Sequence, residues 1–270
     1  MNILWPIALV TWKEGIRNRA IYGISLFALI SLLANLLIAG MMMRSAGKAS
    51  VDIALSTLSL SGLLFILFIG INLIAKDLDK RTIYMVLARP ISRSQYILGK
   101  FLGMALLIVA TVILLSIFAC LSILLVKAAY PAYFERISWA LISLSIFFTT
   151  LMLLLLSALS FLFASFSSTS FITLALTIIT YIIGQSLTDV KALVEAPDTA
   201  GIVVSPITVT LVKGAYYVFP NLSLFDIKLQ AAHGLDISSS YIFWVIIYGV
   251  VYTTLAISLA ALIFRKKEFP

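Results

Sequence analysis

The chain has 270 residues, of which 62% are hydrophobic and only 11% charged, with a mean hydropathy of +1.14. Soluble domains carry about 25% charged residues, so this composition excludes a water-soluble enzyme and describes one all-α, polytopic membrane domain over residues 1–270. The net charge of +8 then marks loops beside anionic headgroups rather than a nucleic-acid surface, and the single cysteine, Cys120, excludes an intrachain disulfide or a cysteine metal cluster.

Residues 1–19 open with Trp5, Leu9, Trp12 and Ile16 at helical spacing, which predicts an amphipathic helix suited to the bilayer interface. Its basic residues, Lys13, Arg17 and Arg19, follow the apolar stretch, the reverse of a secretory signal. Six apolar runs follow, at 20–43, 53–75, 101–126, 137–164, 171–188 and 241–264. Each is near the roughly 20 residues that cross the hydrocarbon as a helix. None contains Asp, Glu, Lys, Arg or His. A charge at the centre of a span costs about 2.5–3.5 kcal/mol, while each Leu, Ile, Phe or Val returns only about 0.3–0.6.

Between the second and third runs lies the longest charged stretch, residues 76–100, with six of the nineteen Lys and Arg residues. Asp77 and Asp79 fall in the first turn of a short predicted helix, where they complement the dipole, and Arg89 falls near its end before Pro90 stops it. Leu78, Thr82 and Met85 make one stripe, and Lys80, Arg81 and Tyr84 face elsewhere. Ser92 or Ser94 then caps a second helix that climbs through Ile97 and Phe101 into the third span. Such a lever fits a soluble partner; a solvated loop that only sets topology fits the same charges.

The motif Asp79, Thr82, Leu87, Pro90, Ser92, Arg93, Gly99 and Lys100 resembles the loop after the second span of ABC-2 type transporter permeases. Arg81 stands where glycine is usual there, which resembles the sub-branch near the permease of nitrous-oxide-reductase maturation. The resemblance implies that Asp77, Asp79, Lys80, Arg81, Thr82, Arg89, Pro90 and Arg93 form a coupling helix and its turn, which meet a separate ATP-hydrolysing subunit. It also implies an elbow helix at the N-terminus, a second permease half, identical or not, and ATP with Mg in the partner ATPase rather than in this chain.

The linker at 165–170 is short and uncharged. The segment 189–240 carries five acids and three bases. In it, Ser205-Pro206 starts a helix with Ile207, Leu211 and Ala215 in one stripe, Pro220-Asn221 turns the chain, Ser223 and Asp226 have the spacing of a variant capping box, and Gly234 ends a short helix after His233. Two interfacial helices forming a small external cap, either a lid or a gate, are expected. Twelve of the nineteen Lys and Arg residues lie in the N-terminus, the 76–100 loop and the tail after residue 264. The positive-inside rule therefore places both termini in the cytoplasm, and the membrane expected is a prokaryotic plasma (inner) membrane.

No catalytic or metal-binding constellation is visible. Gly99-Lys100 is followed by Phe101 rather than by the Ser or Thr of a phosphate loop, and His233 is the only histidine. The polar residues within spans are Asn35, Asn72, Thr173, Thr177, Thr180 and Gln185, besides serines. They fit a translocation path, and equally the backbone and interhelical hydrogen bonds usual in membrane helices. Gly99 and Gly103 make a small-xxx-small pair suited to packing. Three classes of function remain: the permease of an ATP-driven exporter, with membrane lipids, an ATPase and a second half as partners; an ion-driven carrier, against which the lack of intramembrane charge counts; and an intramembrane lipid-modifying enzyme or assembly factor.

Overall fold

The computed structural model describes residues 4–42, 45–73, 92–134, 137–167, 169–195 and 206–266. Six of its helices are long and apolar enough to cross a membrane. After α1 (Leu4–Ile16) come α2 (Ala20–Met41), α3 (Ala46–Leu73), α4 (Arg93–Ala129), α5 (Trp139–Phe166) and α6 (Ser170–Glu195). Then follow α7 (Pro206–Val218), a 3₁₀ turn (Leu222–Phe225), α8 (Lys228–His233) and α9 (Ser239–Lys266). Each apolar run has its own helix, which covers the described residues of the run except Met42, just after α2, and Ile137 and Ser138, just before α5. Some helices overshoot their runs into polar residues, as α4 does by starting at Arg93, eight residues before its run.

The core forms around α3 and α5, whose apolar stretches are 61% buried, against 28% for α2, α6 and α9. The long helix α4 touches α1, α2, α3, α5 and α9, while α9 lies along α5. Phe65, Phe148, Phe161, Phe225 and Phe264 are fully buried at these contacts. The outer faces carry exposed Leu, Ile and Phe, for example Leu37, Phe171, Ile182 and Leu262. In water these would be a liability, but lipid is as apolar as the side chains themselves. Helices therefore associate where small residues let the backbones close.

Such a contact fixes α1. Its buried face is Ala8, Thr11 and Gly15, and it lies against Gly99 and Gly103 of α4. A Cβ on Gly103 would lie 2.6 Å from the Ala8 carbonyl oxygen and 2.7 Å from Thr11 Cβ. One on Gly99 would lie 2.8 Å from Ile7 Cβ. The small-xxx-small pair is thus a packing device, and Trp5, Leu9 and Ile16 are left exposed on the outer side of α1.

The segment between the last two spans is helical as expected, but only part of it is peripheral. Helix α7 begins at Pro206 and lies on α6, with Ile207 and Leu211 exposed. The following turn enters the bundle. Leu222, Phe225, Ile227 and Ala231 are buried, and the Phe225 ring packs edge-on against Phe148 of α5 at 6.4 Å. Phe148 is nine residues into α5, so at 1.5 Å per residue the turn reaches about 13 Å below that helix end. Gly184 and Gly249 make room for it, since a Cβ on either would meet Leu222 or Phe225 at 2.7–3.0 Å. The expected cap is therefore inserted rather than laid on top. Gly234 ends α8 in the left-handed conformation (φ 62°) read from the sequence. The Ser223/Asp226 capping box does not form; Asp226 Oδ1 accepts the Lys228 N–H at 3.2 Å, and Ser223 Oγ donates to Asn221 instead.

Candidate functional site

The charged loop was singled out by sequence, and most of its candidates, Asp77, Asp79, Lys80, Arg81, Thr82, Arg89 and Pro90, lie outside the described residues. The frame that holds its two ends is described in detail. On the far side, Ser92 caps α4 with a complete capping box: its Oγ accepts the Gln95 N–H at 3.2 Å, and Gln95 Oε1 accepts the Ser92 N–H at 3.0 Å. The two bonds satisfy donors that a helix start would otherwise leave open. Arg93, the one coupling candidate within the described residues, is half-buried and donates from Nη1 to the Arg265 carbonyl at 3.4 Å, tying the start of α4 to the end of α9. One turn on, Tyr96 stacks on Phe264 of α9 with ring centroids 6.0 Å apart.

On the near side, Lys100 reaches back to α3. Its Nζ donates to the Leu73 carbonyl at 2.7 Å and lies 5.8 Å from the centre of the Tyr96 ring, with only 6% of the residue exposed. A buried ammonium is costly unless its donors find acceptors. Here a backbone oxygen on a different helix supplies one, so the bond ties α3 to α4 at the mouth of the loop. Just before it, α3 contains a π-turn at Ile66–Gly70, closed by the Ile71 N–H on the Ile66 carbonyl. Gly70 allows the turn close to α4, since a Cβ there would lie 2.5 Å from Met104 Cε. Asn72 Nδ2 donates to the Phe68 carbonyl within the same stretch at 2.5 Å. π-turns inside α-helices recur at functional sites. This one borders α5 and α6.

The polar residues proposed for a translocation path fall into separate places. Asn35 is buried and donates from Nδ2 to the Ser50 carbonyl at 3.1 Å, to Ser50 Oγ at 3.2 Å and to Ser122 Oγ. It thereby joins α2, α3 and α4. Thr173, Thr177 and Thr180 share one buried face of α6. The Thr177 hydroxyl donates to the Thr173 carbonyl at 2.7 Å, and that of Thr173 to the Thr169 carbonyl at 3.4 Å. Gln185 donates to Met152 Sδ at 3.2 Å. Asn72 is exposed at the far end of α3. Apart from the Thr177–Thr173 bond within α6, the described hydrogen bonds link none of these groups to another.

Sequence reasoning missed a polar cluster around the inserted turn. Asn221, 6% exposed, donates its backbone N–H to Tyr248 Oη at 2.8 Å and its amide to Thr188 Oγ1 at 3.1 Å. Ser223 Oγ donates to Asn221 Oδ1 at 2.7 Å and meets Thr188 Oγ1 at 2.5 Å, while Tyr241 Oη donates to the Leu224 carbonyl at 2.7 Å. This cluster satisfies a non-helical stretch of backbone inside the bundle, which a membrane interior demands. The local signals were Pro220-Asn221, read as a turn, and Ser223, read as part of a capping box.

The sequence model of the ABC-2 family transporter proteins matches residues 5–269, nearly the whole chain, and carries no sub-branch. No curated protein matches the sequence. The six helices long and apolar enough to cross a membrane agree with a membrane subunit, and the family implies an ABC ATPase as its general partner. The chain belongs to the ABC-2 transporter family and is an integral membrane component of an ABC transporter.

Proposed function

We propose that the chain is the permease half of an ATP-driven exporter, worked by a separate ATPase subunit that binds ATP and Mg and docks on the 76–100 loop. The observation that carries this reading is the tie between Lys100 Nζ and the Leu73 carbonyl, with the Arg93 and Ser92 contacts beside it. A loop that only set topology would need no fixed mouth. A lever needs one, because force on a loop moves a helix only if the loop's ends are stiffly joined to it. Displacement of the loop acts on α3 and α4 together, and through the Tyr96–Phe264 stack on α9. The π-turn at Ile66–Gly70 supplies the place where α3 yields, next to α5 and α6.

This chain supplies no catalysis in the proposal; it binds and moves a substrate between two permease halves. Both termini lie inside, in a prokaryotic plasma (inner) membrane, and α1 lies as an elbow at the inner interface, with Trp5, Leu9 and Ile16 toward lipid. The test is purification of the chain from its native membrane in a mild detergent. An ATP-hydrolysing subunit with a phosphate-loop sequence is expected to co-purify, and the chain stripped of it to bind no nucleotide. Substrate movement by the stripped chain alone would remove the proposal.

A further inference from the structure

Where α1 meets α2, the surface opens a groove of about 520 Å³, lined by Lys13, Glu14, Arg17 and Asn18 on one side and by Asn72 and Leu73 of α3 on the other. Val10 completes it, so positions 10, 13, 14 and 17 fall at helical spacing on one face. Among the described residues neither Lys13 nor Arg17 forms an ion pair. Asn18 Oδ1 accepts the Ala20 N–H at 3.0 Å, which fixes the amide and leaves its two N–H donors for another acceptor. Two cations and an amide donor beside one another are the chemistry that holds a phosphate oxygen.

What adjoins the groove selects among phosphates. Its lining places Lys13 and Arg17 beside Glu14, a carboxylate with a contact of its own, so a singly charged phosphodiester meets less repulsion there than a doubly charged ion. Free phosphate carries between one and two charges at neutral pH, and it has no use for the apolar surface that adjoins the groove. That surface is Val10, 64% exposed, with Trp5 and Leu9 exposed further along the same helix. We infer that this groove binds a phospholipid, with the phosphodiester on Lys13, Arg17 and Asn18 and the acyl chains along Val10, Leu9 and Trp5. The lipid then bridges α1 to the end of α3, beside the origin of the charged loop. The inference stands apart from the coupling assignment, since it concerns a lipid and not the ATPase.

The test titrates the delipidated full chain with phosphatidylglycerol and, separately, with diacylglycerol of the same chains, counting bound lipid by native mass spectrometry. Phosphatidylglycerol is expected to bind at least about tenfold more tightly. In the Lys13→Gln/Arg17→Gln variant its affinity should fall roughly thirtyfold, from about 1 kcal/mol for each basic residue at a lipid surface. Inorganic phosphate in large excess over the lipid should leave the lipid bound. Equal binding of the two lipids, unchanged affinity in the variant, or displacement by phosphate would each overturn the inference. The wild-type comparison decides it even where the variant does not fold.

Discussion

Replacing Lys100 by Met keeps the length and apolar body of the side chain and removes only the ammonium. In the protein that ammonium makes a 2.7 Å bond to the Leu73 carbonyl, on a residue only 6% exposed. A hydrogen bond from a charged donor contributes about 1.5–3 kcal/mol, and a buried carbonyl left without its donor costs about 1–3 kcal/mol. The ring of Tyr96 at 5.8 Å lies near the outer limit of a cation–π contact and adds little. Relief of the buried charge opposes these losses, so a net loss of about 2 kcal/mol is expected, or roughly thirtyfold in the local opening equilibrium. Hydrogen exchange followed by mass spectrometry reads it directly. Peptides covering residues 66–73 and 93–100 should exchange about ten- to a hundredfold faster in Lys100→Met, while peptides around Asn35 and Ser50 stay unchanged. Unchanged exchange at the loop mouth would show that the Lys100 bond holds nothing together.

Gly103→Ala should separate two opposing effects: alanine favours helix by about 1 kcal/mol, and the clash with the Ala8 backbone costs about 1–3. A small net destabilisation is expected, whereas Gly103→Leu should detach α1 from α4 and speed hydrogen exchange over residues 4–16; wild-type exchange there would refute the packing role. Topology is checked by replacing Cys120 and introducing Ser94→Cys or Thr199→Cys singly. An impermeant thiol reagent should label only Thr199→Cys in intact cells, and labelling of Ser94→Cys would invert the orientation.

The parts legible in the sequence were those governed by short range. Six uncharged apolar runs became six helices because the hydrocarbon admits little else. The Ser92 cap was legible because its partner, Gln95, is three residues away, and the Gly234 stop because a left-handed residue after a helix favours glycine. Lys100 and Asn221 were not legible as structural ties. Lys100 bonds a carbonyl 27 residues earlier, and Asn221 bonds Tyr248 and Thr188 across 27 and 33 residues. Nothing in local spacing encodes such pairs. The inserted turn was missed for a related reason. Leu222, Phe225 and Ile227 have no helical or strand period, yet Gly184 and Gly249 on distant helices leave the space they fill. On α1 the apolar stripe was legible, but the face that packs is the small one, Ala8, Thr11 and Gly15.

The central claim is that the charged loop, held at its mouth by Lys100 and Arg93, receives the ATPase. Arg81→Glu combined with Arg89→Glu reverses two of its charges and leaves the frame intact. Truncating one partner of a desolvated interface pair costs about 2–5 kcal/mol, while solvated loop charges cost little. The measurement is the amount of ATPase subunit that co-purifies with the variant, in a sample whose membrane level and cysteine-mapped topology match the wild type. Loss of the ATPase by at least about thirtyfold, the lower end of that range, is the expected result. Wild-type co-purification and substrate-stimulated turnover in that sample would contradict the account.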